Sequence, residues 1–428
     1  MKRAWFYLGT AALLQTAAAC SFIASVDRVE PGGSGGSGGA GGTGGGDGTG
    51  GGAGGTGGAG GGEPEGTAWE AGAPDPNTGA YELPSWLVFE SPSENKTVQT
   101  GPDRVRTGFG ANAPRARSVD ATTWGLAVEG ERTNRINSAR VAAPGWEAIS
   151  GTLTAAPGPD GEELAGLVED TSNTQSAAAI EQFTAAPGED VTISAWVMTG
   201  DSQATLECNS CQAPQSVVID PMLAWHRESL TTTEAPGGTP LVRLRPAGPM
   251  ANLEGSASFD FVNLETGRYP SSAILTTTSG TPETRQAEKL YAPAASDLAP
   301  GGFFNVTLRI APHYASGEQA VDHDILFFDV QNRLYVRAAD SAVVLQAEGM
   351  DVAETEPLTW ARDEELTIEV TNTESGRTLR VVAGANESAA ESMDPGSFPV
   401  TGAIHLLGSD TGAQEGADLR AITFKPLM

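Results

Sequence analysis

The chain reads as an all-β protein, with two β-sandwich or jelly-roll domains carried behind a disordered, glycine-rich linker. Three observations predict this. Beyond Leu83, apolar and polar residues alternate over short runs, and a helical period is almost absent. Gly, Pro, Asn and Ser punctuate those runs as turn formers. The stretch from Leu83 to Met428 is also too long for one sandwich of ~100–200 residues, so two are expected, over 83–268 and 269–428.

The runs are specific. In Val191–Met198, Val191, Ile193, Ala195 and Val197 share one face, with Thr192, Ser194, Trp196 and Met198 on the other. Val306, Leu308 and Ile310 alternate with Thr307 and Arg309. Leu334 and Val336 oppose Arg333, Tyr335 and Arg337. Leu366, Ile368 and Val370 group together, and Phe259 with Phe261 and Leu379 with Val381 repeat the pattern. Strands with one apolar face must bury it against a second sheet. Tyr269–Arg285 carries Pro270, Pro282, Gly280 and several Ser and Thr. It is expected to cross from one sandwich to the other, because Pro cannot donate to a ladder.

The beginning of the chain reads differently. Met1, Lys2 and Arg3 are followed by an apolar stretch from Ala4 to Leu14 and then by Ala17, Ala18, Ala19 and Cys20. Positive charge, a short apolar run and small residues in that order make a secretory leader over 1–19. The run is too short to cross a bilayer, which takes ~20 residues. A Cys directly after the small residues resembles the lipobox of bacterial lipoproteins, with Ala17 where Leu is usual. The resemblance implies that Cys20 is lipidated, making the lipid the sole membrane anchor. The alternative is an ordinary cleaved leader with a chance Cys. Residues 20–82 form the linker. Gly32 to Gly62 is nearly all Gly with Ser, Ala, Thr and one Asp, a composition that builds no core. A flexible coil of about 31 residues spans roughly 30 Å.

Charge limits the partners. The 25 Lys and Arg against 54 Asp and Glu give a net charge of -29, which leaves no basic face for nucleic acid. An acidic surface serves solubility, or a cation such as calcium.

A set of segments between Trp86 and Arg285 then becomes familiar. Trp124–Asn137 reads WGLAVEGERTNRIN, preceded by GANAPRAR at Gly110–Arg117 and followed by DGEELAGLVED at Asp160–Asp170. Trp225 and Arg227 stand in WHR, and Leu264–Arg285 reads LETGRYPSSAILTTTSGTPETR. In this order the five resemble the signature segments of phage tail-fibre and virion structural proteins that carry lectin-like sandwiches. The region after Phe303 is similar to the concanavalin A or laminin G jelly roll that often follows, with His405–Lys425 as its closing hairpin. The resemblance implies a carbohydrate-binding-module-like sandwich and then a lectin-type one. Such folds bind glycans or partner proteins, so fold alone does not give function.

The candidate sites follow from residue chemistry. Arg132, Thr133 and Asn134 either line a ligand groove or serve structure, Arg132 as an ion-pair donor and Asn134 as a turn former. Cys208 and Cys211 are half of a zinc site or a local disulfide. Zinc takes four ligands, no second pair exists, and export favours the disulfide. Asp322 and Asp324 flank His323 on one strand face, a start for calcium; Asp410, Glu415 and Asp418 form a second acidic group. Sugars stack on flat rings, and among Trp124, Trp146, Trp196, Trp225 and Trp360 the one expected to be exposed is Trp146, after Pro144 and Gly145.

No enzyme is expected. Beyond the glycine-rich linker there is no Gly-x-Ser-x-Gly elbow, and Asp363-Glu364-Glu365 lacks the separation that glycosidic chemistry requires of its carboxylates. The expectation is a non-catalytic lipoprotein of the bacterial cell envelope, at the outer membrane or cell surface, that binds glycan or acts in adhesion. A structural or protein-partner role is the alternative, and a glycoside hydrolase the third.

Overall fold

The computed structural model describes residues 66–427, apart from Asn95, 171–177, 184–186, Ser210, Pro214, 237–240, 249–253, 277–280, 394–395, Ser397 and 399–401. The expected leader, Cys20 and nearly all of the linker lie outside the described residues. The described chain is all-β and antiparallel throughout its named sheets, with one four-residue α-helix at Ala295–Leu298.

Two sandwiches form, each around its own core. The smaller pairs two five-stranded sheets. One runs His226–Thr233, Asp190–Thr199, Gly255–Thr266, Ala165–Asp170, Thr152–Ala156. The other runs Ser216–Ile219, Ala204–Cys208, Leu241–Arg245, Ala178–Gln182, Glu147–Ile149. Ile193, Val197, Leu206, Leu244 and Phe259 meet between them, all fully buried. The larger sandwich faces an eight-stranded sheet, centred on Phe304–Pro312 and Ala417–Pro426, with a seven-stranded one that includes His323–Asp329 and Asn332–Val336. Val306, Leu308, Ile368, Val381, Leu334 and Phe424 fill its core. The alternating runs read from sequence become these strands because each buries its apolar face against the opposite sheet.

The expected linear division at 268/269 is not the one the sheets follow. Val88–Glu90 pairs with Lys289–Ala292, Gly125–Val128 pairs with Ala417–Pro426, and Thr67–Glu70 lies along the same final strand. The strands Thr67–Glu70, Val88–Glu90 and Gly125–Val128 thus complete the larger sandwich, and the smaller is inserted between its parts. Order also begins before Leu83: Trp69 packs edge-on against Tyr81, their rings 5.6 Å apart. Tyr269–Arg285 does connect the sandwiches, yet it is no exposed crossing. Tyr269, Ser271, Ala273 and Ile274 are buried. The expected closing hairpin is divided too, with Ile404–Leu406 in the seven-stranded sheet and Ala417–Pro426 in the eight-stranded one.

One strand departs from simple alternation. Asp190–Thr199 is covered on both faces. Its register with Gly255–Thr266 shifts between Ser194 and Trp196, where Phe261 takes a positive φ of 46°. This bulge turns Phe261 away from the sandwich core to join Trp196, Val105 and Ala273 in a second cluster. The two-stranded ribbon Lys96–Gly101 and Arg104–Phe109 supplies Val105 and covers that side.

Candidate functional site

Residues from the segments at 110–117, 124–137 and 264–285 converge with Glu288 on a buried polar seam where the sandwiches meet. Arg115, from APRAR, donates through Nη2 to Glu129 at 2.8 Å and Glu288 at 2.7 Å. Arg285, from PETR, lies 3.2 Å from the same Glu129 carboxylate. All four side chains are fully buried. Glu129 also accepts the backbone N–H of Ser272. Its carboxyl is held well below the usual range; burial opposes this, and the Arg285 and Arg115 guanidinia outweigh it. Gly130, next in the motif, is fixed by space, since a Cβ there would lie 2.7 Å from the Gln414 carbonyl. Breaking one member of such a buried network leaves an uncompensated charge, at a cost of about 3–5 kcal/mol.

Arg132 and Asn134 belong to this scaffold and do not line a ligand groove. Arg132 pairs with Glu415 at 2.8 Å, and its guanidinium lies over the Tyr269 ring at 5.0 Å. Tyr269 in turn donates its hydroxyl to Glu415. Asn134 has no exposure. Its Nδ2 donates to the carbonyls of Val262 and Ile274, and its Oδ1 accepts from the N–H groups of Ile136 and Leu264. With both ends of the amide used, nothing is left for a ligand.

Trp146, expected to be exposed, is buried in the smaller sandwich, where its Nε1–H donates to the Ser138 carbonyl at 2.9 Å. Its loop position was a fair sign of a turn and a poor sign of exposure, because the turn folds the ring inward.

Asp322 and Asp324 do face one cation together, and it is Arg333. Arg333 is 3.1 Å from Asp324 and 4.0 Å from Asp322. Asp324 is buried and also accepts from Gln414 at 2.9 Å, while Asp322 accepts the N–H of Ala338. Calcium requires six to eight oxygens, and these are already engaged. The second acidic group is dispersed: Glu415 belongs to Arg132, whereas Asp418 accepts from Arg117 at 2.9 Å and bonds His313 at 2.8 Å. His313, Asp363 and Asp418 have the proximity of a metal-binding group, with ligand atoms within 4.8 Å of one another. Arg117, however, forks between the two aspartates, 2.7 Å from Asp363, and supplies the positive charge there itself. Cys208 and Cys211 are joined as a disulfide, their Cα atoms 5.5 Å apart, on the buried side of the smaller sandwich.

Two of the hollows on the described surface are lined in part by the Lys96–Phe109 ribbon. The first, of about 490 Å³, is an open groove lined by Trp225, Asp103, Arg104, Arg106, Val105 and Asp160. Trp225 is half-buried against the Trp196 cluster and presents the rest of its ring to the groove. Asp160 is held by a forked pair from Arg140, at 2.7 and 3.1 Å. The second hollow, of about 340 Å³, is lined by Arg117, Arg227, Arg362, His226, Glu228 and Asp363 among others. Trp225 and His226 are consecutive, so one strand entrance serves both. Sequence reasoning counted Trp225 among the available rings without preferring it. A usable signal was present in the apolar Met222 and Leu223 just before it, which are exposed at 46% and 79% and mark a surface loop.

No family model and no curated protein matches the chain. Among solved structures, the arabinofuranosyltransferase AftD from Mycobacteria is similar at 8% identity with a TM-score of 0.18. That match covers 80% of this chain and 39% of the other, so the chain spans well under half of that protein's length. A likeness this slight carries no argument about fold or activity.

Proposed function

We propose that the chain is a non-catalytic lipoprotein of the bacterial cell envelope, anchored through lipid on Cys20, whose β body binds polysaccharide along the Trp225 groove. The observation that carries this reading is the Trp225 ring in an open groove beside Asp103, Arg104 and Asp160. A flat ring can stack on a sugar face while the charged groups accept and donate to its hydroxyls. The order of leader, Cys20, glycine tether and body supports display away from a membrane. The resemblance to lectin-like sandwiches agrees with the reading and does not by itself carry it.

A glycan array probed with the purified chain is the direct test. Binding is expected, and Trp225→Ala should abolish it while the chain still melts cooperatively, at a temperature lowered by the lost packing on the Trp196 cluster. Array-wide silence, or binding that survives Trp225→Ala, would overturn the reading. For the anchor, a palmitate analogue should label the wild-type chain and not Cys20→Ser; equal labelling of both would refute lipidation at Cys20.

A second reading, binding of a protein partner, is favoured by one observation: Val218, Met222 and Leu223 are exposed at 40%, 46% and 79% close in sequence to Trp225.

A further inference from the structure

We propose that the hollow around Arg227 takes the acidic group of an anionic polysaccharide, so that the ligand carries carboxylate or sulfate. This rests on the glycan-binding reading above and names the chemical class of its ligand.

Arg227 lies in the strand His226–Thr233. Its Nη2 donates to Ser194 Oγ at 2.9 Å and to the Ser271 carbonyl, and its Nε is buried with no partner. Both bonded partners are neutral. The other arginines of the hollow differ. Arg117 is neutralised by Asp363 and Asp418, and Arg362 is forked on Glu318 with both bonds at 2.8 Å. In a chain of net charge -29, where acids outnumber bases about two to one, a desolvated guanidinium bonded only to neutral groups is unusual. Burial pushes Arg227 down to about 10, so it remains a cation at neutral pH. Two carboxylates also line the hollow: Asp363, engaged by Arg117, and Glu228, 3.6 Å from His226, with burial raising its carboxyl. Neither forms an ion pair with Arg227, on which the carboxylates of Glu265, Glu129 and Asp363 act only from a distance.

The size and place of the hollow restrict the ligand. At about 340 Å³ it is at the small-molecule end of binding sites and too small for a folded partner. It adjoins the Trp225 groove across consecutive residues, with Gln99 and Pro102 of the ribbon lining one and Thr100 and Asp103 the other. A sugar chain stacked on Trp225 would set a neighbouring unit at Arg227. With both Nη2 hydrogens engaged and Nε buried, Nη1 is the donor left to meet an oxygen of a carboxylate or a sulfate.

The test uses the full chain and two matched pairs of probes: polygalacturonate against its methyl ester, and dextran sulfate against dextran. At least one acidic probe should bind about tenfold or more tightly than its neutral counterpart. Preference for polygalacturonate identifies a carboxylate ligand, and preference for dextran sulfate a sulfate. Arg227→Gln should erase the preference, and Arg227→Lys should keep part of it, because the charge remains while the planar donor group is lost. Equal binding of acidic and neutral probes, or a preference that persists in Arg227→Gln, overturns the proposal and leaves glycan binding standing. Failure of every probe and of the array removes both. Should Arg227→Gln not melt cooperatively, inorganic sulfate is titrated into the wild-type complex against sodium chloride of equal ionic strength. Sulfate should displace the acidic probe and not a neutral one; no displacement beyond the chloride control overturns the proposal.

Discussion

Glu181 shows how much a single buried side chain decides. It sits in the smaller sandwich with Oε1 accepting from the Ser138 N–H at 2.8 Å and Oε2 buried without a partner. Burial raises its carboxyl from the ordinary range to about 8, more than its backbone hydrogen bonds lower it. The folded state therefore holds a proton that the unfolded chain releases near pH 4.5. Stability from this group is full below about 4.5 and is lost as pH rises through about 8, a change of a few kcal/mol. Denaturant melts from pH 5 to 9 should show the decline, and Glu181→Gln should flatten it. A decline of equal slope in that variant would refute the assignment. Such a role is not legible in the sequence, because burial of a carboxyl depends on which strands face each other. The same limit applies to Arg132 and Asn134. Their motif was recognisable, but only the fold reveals that Glu415 and the Val262 and Ile274 carbonyls occupy their donors.

Elements were legible where apolar residues alternate long enough to define a face. The runs around Val191, Val306, Leu334, Leu366 and Leu379 all form strands. Short strands such as Thr67–Glu70, Val88–Glu90 and Ala116–Arg117 were not. They are too brief for a period to show; Thr67–Glu70 and Val88–Glu90 pair with strands far along the chain, at Ala417–Pro426 and Lys289–Ala292, and Ala116–Arg117 pairs with Gly125–Val128. Those partners have a consequence for truncation. A fragment over residues 287–428 lacks Val88–Glu90 and Gly125–Val128, which leaves the ladders of Lys289–Ala292 and Ala417–Pro426 open and Leu126 and Val128 missing from the core. It is expected not to unfold cooperatively, whereas residues 66–428 should. A cooperative melt of the short fragment at comparable stability would show that the N-terminal strands are dispensable.

At the scale of the whole molecule, two apolar cores are joined by a seam of buried charge, and the polar hollows lie beside that seam. The seam is made by Arg115, Glu129, Arg132 and Arg285 with Glu288 and Glu415. Arg115 also donates to the Thr97 carbonyl of the ribbon at 2.7 Å, and that ribbon lines the hollows that hold Trp225 and Arg227. All-β architecture and two cores could be read from the chain; the insertion of one sandwich into the other could not, since no local pattern records which strands pair across two hundred residues. The most direct measurement is hydrogen–deuterium exchange on the wild-type chain, with and without the glycan that binds most tightly on the array. Protection is expected in the ribbon around 99–106 and at 224–229, with 132–134 and 322–324 unchanged. Protection confined to 132–134 or 322–324, or none with any glycan, would contradict a ligand face built around Trp225.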